Sequence, residues 1–284
     1  MNHNVSYYSG KCAAFLTQHA KELVVAPELR DAIGLKVQRI DGYDTNRLGT
    51  FSREIPRDGS QLETARKKAR IGMNLSGFKF GLASEGSFNM DPFTGMIPWN
   101  VEMLIFIDDL RNLEVVGFFQ GSAKVGNLLS EDWASAETFA RKLGFPEHYL
   151  VVRPEDKDDQ RIRKDIDTWI KLEDTFFWAR AQSANGNVFL ETDMRAHANP
   201  TRMENIRLAA VDLAKKLNSV CPVCAMPGFW IIDQIKGLPC EICGSPTDII
   251  MEDIYECLKC SHRVKKRREE KKFADPKYCD YCNP

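Results

Sequence analysis

No stretch of this sequence approaches the roughly 18 consecutive apolar residues that a membrane-crossing helix needs. The first residues (MNHNVSYYSGKCAAFLTQHAKE) also lack the apolar run and small-residue cleavage site of a secretory signal. No membrane partner is expected, and the cytoplasm is the expected compartment. An excess of charge of one sign is missing too: 39 Lys and Arg face 40 Asp and Glu. Overall charge therefore draws the chain neither to nucleic acid nor to an anionic surface. The patterns G-x-x-x-x-G-K-[ST], G-x-G-x-x-G and G-x-S-x-G are absent, which argues against P-loop, Rossmann and α/β-hydrolase chemistry.

Cysteine is present in a pattern. Eight of the nine fall in the last quarter of the chain as four C-x-x-C pairs: Cys221 and Cys224, Cys240 and Cys243, Cys257 and Cys260, Cys279 and Cys282. A C-x-x-C turn aims two sulfurs at one point, and two such turns supply the four thiolates of a tetrahedral zinc site. Eight thiols thus predict two structural Zn2+ ions, in preference to disulfides or redox dithiols. Spacing leaves three pairings open: sequential, nested and alternating. A site closed by four thiolates has no open position for water, so these metals are expected to be structural. The P-C-x-x-C at Pro239 to Cys243 lacks the H-x-E of zinc deaminases. Cys12 stands apart as an ordinary thiol. The basic run from Arg263 to Lys272 (RVKKRREEKK) contains Glu269 and Glu270 and no aromatic residue. It is expected to offset two anionic metal clusters, with phosphate contact as the alternative.

Upstream, strand-like and helix-like segments alternate, predicting an α/β fold. KCAAFLT, KVQRI, FKFGLAS, VEMLIFI, LEVVGFF, HYLVVR and NVFLETD read as strands. The main helical segments are AKELVVAPELRDAIG, SQLETARKKARIGMNLSG (Ser60 as N-cap, Gly77 as stop), SEDWASAETFARKLG, IDTWIKLEDTFFWARAQ and NPTRMENIRLAAVDLAKKLN. The expected division is an α/β domain over 1–217 and a zinc-ribbon domain over 218–284. Asp108 and Asp109 read as turn residues of a hairpin rather than as a metal site.

Chemistry is expected where charged residues meet strand ends. Thr64 and Lys68 share a helix face by their spacing of four, and Glu85 is expected just beyond a buried strand, where α/β folds place ligands. A carboxylate and a lysine there suit a Mg2+-assisted attack on a polyphosphate. Between NVFLETD and the last helix, Arg195 and Arg202 could clamp an anion at a helix N-terminus. Alternatively, Asp193, His197 and Asn199 lock one another as scaffold. The polar stretch from Asp41 to Ser60 reads as a binding loop, with Arg47, Thr50, Arg53, Glu54 and Arg57 as its charged or polar residues.

The segment Glu63-Thr64-Ala65-Arg66-Lys67-Lys68-Ala69, followed by a strand and Ser84-Glu85-Gly86-Ser87, resembles the E-N-A-x-x-K-A helix and acidic strand end of the inosine/xanthosine triphosphate pyrophosphatases, non-canonical purine NTPases. Thr17-Gln18-His19-Ala20-Lys21 lies where that superfamily has a phosphate-binding T-x-N-x-x-K. His19 and Thr64 replace asparagines, Lys21 comes one residue early, and a single Glu85 stands where many members have paired aspartates. The resemblance implies a mixed-sheet, inosine-triphosphatase-like domain that cleaves a nucleoside triphosphate to monophosphate and pyrophosphate. It implies Glu85, Lys68 and Glu63 as catalytic residues with Mg2+, and Thr17, His19, Lys21, Thr64, Arg195 and Arg202 as substrate contacts; Arg53 joins these from the length and charge density of its loop. The whole chain, with GTFSREIPR, LASEGSF, ETDMRAHANPTR and CDYCNP, also resembles a bacterial family of unknown function with C-terminal zinc knuckles. The rival expectation is a non-catalytic nucleotide sensor, or an adaptor that binds nucleic acid or protein through its zinc domain. A homo-oligomer is left open.

Overall fold

The computed structural model describes residues 6–49, 55–56 and 59–284. Its contacts divide the chain into two units, Met1–Leu213 and Ala214–Pro284.

The first unit opens with β1 (Cys12–Leu16), α1 (Glu22–Ile33), β2 (Lys36–Ile40), α2 (Gln61–Ser76), β3 (Phe80–Met90), β4 (Pro98–Asp108) and β5 (Leu113–Ser122). These strands form one sheet in the order β2-β1-β3-β4-β5. β1 runs parallel to β2 and β3, while β3, β4 and β5 are antiparallel neighbours, so the sheet is mixed. Helix α2 begins in a capping box: Ser60 Oγ accepts from Glu63 N, and the Glu63 carboxylate accepts from Ser60 N at 2.8 Å. It ends at Gly77, whose φ of 72° suits the left-handed C-terminal position. Ala65, Ala69 and Met73 recur at every fourth residue and pack on Ala83, Ile105 and Ile107. These small side chains bring α2 close to β3.

A second sheet contains β6 (Asn127–Ser130), β7 (Leu150–Pro154), β8 (Arg163–Ile166) and β9 (Val188–Thr192), all antiparallel, in the order β6-β9-β7-β8. Its core joins Leu150, Val152, Val188 and Leu190 to α3 (Trp133–Leu143) and α4 (Trp169–Gln182). Asp132 caps α3 by accepting from Ser135 N at 2.8 Å, and Gly144 ends it. Helix α5 (Pro200–Asn218) follows. At Gly117 of β5, a Cβ would stand 2.3 Å from Ala209 O and 2.5 Å from Leu213 Cβ, so only glycine lets α5 lie this close.

The second unit contains a three-stranded antiparallel sheet: β10 (Trp230–Lys236), β11 (Ile250–Glu256) and β12 (Arg263–Arg267), in that spatial order. The basic run begins as β12. Arg263 pairs with Glu256, Arg268 makes two 2.9 Å bonds to Asp253, and Lys266 lies 4.6 Å above the Tyr255 ring. Several of its charges are thus engaged by β11.

Two sequence expectations change. The strand expected to stop at Ser84 continues to Met90, because β4 pairs with it throughout, from Phe80↔Asp108 to Met90↔Pro98. Glu85 is therefore inside a strand. The short strands β6 and β8 were not expected. Asp108 is a turn residue, accepting from Leu110 N and Arg111 N, and its Oδ2 accepts from Tyr8 Oη at 3.2 Å.

Candidate functional site

The cysteines form two groups: Cys221, Cys224, Cys257 and Cys260, then Cys240, Cys243, Cys279 and Cys282. Strand parity explains this alternating arrangement. One strand separates each knuckle from the next, and the strands are antiparallel. The first and third knuckles therefore lie at one end of the sheet, and the second and fourth at the other. Sulfur separations of 3.7 Å (Cys221–Cys260), 3.5 Å (Cys224–Cys257), 3.8 Å (Cys240–Cys282) and 3.5 Å (Cys243–Cys279) are far longer than a disulfide. They match the edge of a tetrahedron around zinc, about 3.8 Å for Zn–S near 2.3 Å. In all four knuckles the residue after the second cysteine donates its N–H to the carbonyl of the first: Ala225, Gly244, Ser261 and Asn283, at 2.8–3.1 Å. Backbone N–H groups of Val223, Lys259 and Cys260 also point at cysteine sulfurs, which favours the thiolate form. The two groups could each hold one zinc ion.

In the first unit, charged residues gather where β1 stops and β3 runs on. The last paired residues of β1 and β3 are Phe15 and Leu82, so Ser84, Glu85 and Gly86 extend past the carboxyl end of β1. Ala20, at φ 55°, turns the chain after β1. This left-handed conformation costs a non-glycine residue about 1 kcal/mol. It leaves Lys21 buried, with Nζ donating to Ser84 Oγ at 2.9 Å. Burial, then the nearby Arg202 and Lys68, pull the Lys21 ammonium from 10.5 down to about 7, against the smaller opposing pull of Glu102 and Glu85. Among the described residues no carboxylate lies within ion-pair distance of it. Thr17 is 4% exposed, and its Oγ1 is buried without a hydrogen-bond partner.

Successive side chains of β3 point to opposite faces. Glu85 faces α2 and forms an ion pair with Lys68. Gly86, opposite Glu102 on β4, faces α5, where Arg202 Nε donates to Glu102 Oε1 at 2.8 Å. Asn100 Nδ2 also donates to Glu102 at 3.0 Å, and Asn205 Nδ2 donates to Asn100 Oδ1 at 2.8 Å. A Cβ on Gly86 would lie 2.3 Å from Glu102 Oε1 and 2.6 Å from Arg202 Nη2, so glycine makes room for this ion pair.

The other expected site residues are distributed unevenly. His19 lies in the same cationic cluster: burial first, then Lys21, His197, Arg202 and Arg195, push its pKa down to about 3, and its ring centroid is 4.9 Å from that of His197. Arg195 is held by Asp193 at 2.6 Å and Asp165 at 2.8 Å. The expected Asp193–His197 lock is thus replaced by Asp193–Arg195, with His197 3.5 Å from Asp165. Asn199 Oδ1 caps α5 by accepting from Arg202 N at 3.0 Å. Thr64 is buried on α2, whereas Glu63 serves the Ser60 cap. Arg53, with Thr50, Glu54 and Arg57, lies outside the described residues. Sequence reasoning missed Glu102, Asn100 and Asn205. The available signal was a glutamate inside the apolar strand VEMLIFI.

A mixed α/β unit followed by two four-cysteine clusters defines the general class of this protein. A family model described as a domain of unknown function (DUF6671) matches residues 68–284, and the chain belongs to that family. The match takes in Lys68, Glu85, Arg202 and all eight clustered cysteines. No curated protein and no solved structure matches. Among the described residues no helix is long and apolar enough to cross a membrane.

Proposed function

We propose that the first unit binds the phosphate chain of a nucleoside triphosphate at the carboxyl edge of β1, in an inosine-triphosphatase-like domain, and that the second unit is a zinc-stabilised ribbon. The observation that carries the reading is Lys21: a buried ammonium beside two other cations, with a hydroxyl but no carboxylate as its direct partner. A bound anion would pair with the Lys21 ammonium, whose cationic neighbours Lys68 and Arg202 already have carboxylate partners, and this makes the site complementary to phosphate. Lys21 stands just after β1 and Lys68 on the helix facing β3, and these placements support the reading. Calorimetric titration of inosine, xanthosine, adenosine and guanosine triphosphates tests this: saturable binding is expected for wild type and loss of it for Lys21→Met. Absence of binding to wild type would overturn the reading.

A second reading is Mg2+-dependent cleavage of the nucleotide to monophosphate and pyrophosphate. The contact of Glu85 with Lys68 favours it, because it sets a carboxylate that could orient water or metal beside a phosphate-neutralising lysine. Pyrophosphate release separates the two readings. Turnover lost in Glu85→Gln supports cleavage, and binding without release supports a sensor.

A further inference from the structure

The turn that joins β3 to β4 carries large apolar side chains that face solvent. Phe93 is 81% exposed, Met96 76%, Met90 50% and Ile97 49%. In a pliable loop such exposure would mean little, but this turn is built around the buried Asp91. Its Oδ1 accepts from Phe93 N at 3.0 Å and Thr94 N at 2.7 Å, and its Oδ2 from Met96 N at 3.0 Å, Ile97 N at 2.9 Å and Thr94 Oγ1 at 2.7 Å. Asp91 N donates to Ile97 O, and Gly95 N to Asp91 O. Pro92 and Pro98 have no N–H to place. Every backbone donor from Asp91 to Pro98 is therefore satisfied within the turn, and its one charge is turned inward. A dry contact would strand none of these donors, and it is stranded donors that make the burial of a loop costly.

We infer that two copies of this chain associate through the turn, with Phe93, Met96, Met90 and Ile97 of one packing against the same side chains of the other. Together the four leave on the order of 500 Å2 open to solvent, the size of apolar patch that is often functional on a soluble chain. Two such patches bury about 1,000 Å2 between them, the lower limit for a specific interface, so the dimer is reversible rather than permanent. Charge selects the occupant. A twofold contact sets residues near its axis against their own copies, where like charges would repel, and residues 92–101 contain no charged side chain. An anionic lipid surface or a nucleic acid needs cations to meet its phosphates, and no Lys or Arg occurs from Phe80 to Leu110. Trp99 meets the Phe93 ring edge-on, 6.3 Å between centroids, and so braces the most exposed of the four. The association requires no bound nucleotide.

The test is analytical ultracentrifugation of the full chain over a range of concentrations. The expected result is a mass that rises from one chain to two across the micromolar range. Phe93→Ser combined with Met96→Ser should weaken the dimer about tenfold or more. Thermal unfolding at the lowest concentration should be unchanged in that variant, because both side chains already lie in solvent in the single chain. The control is Ile170→Ser, which removes a side chain 75% exposed on α4 and should leave the dimer intact. A single chain at every concentration would overturn the inference, and flotation of that monomer with phosphatidylcholine vesicles would reassign the turn to lipid. A dimer that survives the turn variant would overturn it equally, and loss of the dimer in Ile170→Ser alone would place the contact on α4.

Discussion

Lys21 Nζ donates a 2.9 Å hydrogen bond to Ser84 Oγ across the gap that opens where β1 ends and β3 continues. A lysine here is costly, because it loses hydration and meets two other cations. Its effect on stability and binding can be measured separately.

Stability should depend on pH through this residue. The folded-state pKa of Lys21, about 7, lies below its ordinary 10.5. Between these values the unfolded chain holds the proton and the folded chain does not, so this group raises stability as pH rises through that window. Below about pH 7 both states are protonated and the burial penalty is complete. Lys21→Met should therefore raise Tm more at about pH 6 than at about pH 9 relative to wild type. An equal gain at both pH values would contradict the assignment. Ligand affinity should move the other way, weakening as pH rises through about 7.

The alternating cysteine groups make a stoichiometric prediction. Native mass spectrometry should find two zinc ions in wild type and one in the double variant Cys221→Ser with Cys257→Ser, which spoils a single group. Cys221→Ser with Cys240→Ser spoils both and should retain none. Sequential pairing would reverse the two outcomes. Removing zinc with a chelator should unfold the second unit, whose roughly 70 residues are too few for a self-sufficient core.

The buried Glu102–Arg202 pair should be far more sensitive to losing one partner than to losing both. Arg202→Ala strands Glu102 at 1% exposure and should cost about 3–5 kcal/mol in denaturant unfolding. Combining Arg202→Met with Glu102→Met should recover a large part of that loss. Gly86→Ala, which drives a methyl into the same pair, should cost about 2 kcal/mol.

Glu63 separates a capping role from a catalytic one. Its carboxylate accepts from Ser60 N and Ser60 Oγ, both at 2.8 Å. Glu63→Ala should lower stability by removing the cap and leave nucleotide affinity unchanged. A loss of affinity or turnover at constant stability would restore it to the catalytic set.

What the sequence revealed follows from the range of the interactions. C-x-x-C turns are local, so the metal ligands were readable, and strand counting between knuckles could have chosen the alternating pairing. The α2 cap and the Gly77 stop were equally local. Glu102 and Arg202 lie 100 residues apart and meet only through packing of α5 on the sheet, which no local pattern encodes. The end of β3 was misplaced because Ser84, Glu85, Gly86 and Asn89 disfavour strands on propensity, whereas pairing with β4 overrides it. The strands β6 and β8, four residues each, are too short to show a period.

The most direct measurement is a crystal structure of the full chain soaked with a non-hydrolysable nucleoside triphosphate. The account predicts phosphate density within hydrogen-bond distance of Lys21 Nζ and Thr17 Oγ1. Phosphate bound at another surface, with Lys21 still contacting Ser84 alone, would contradict it.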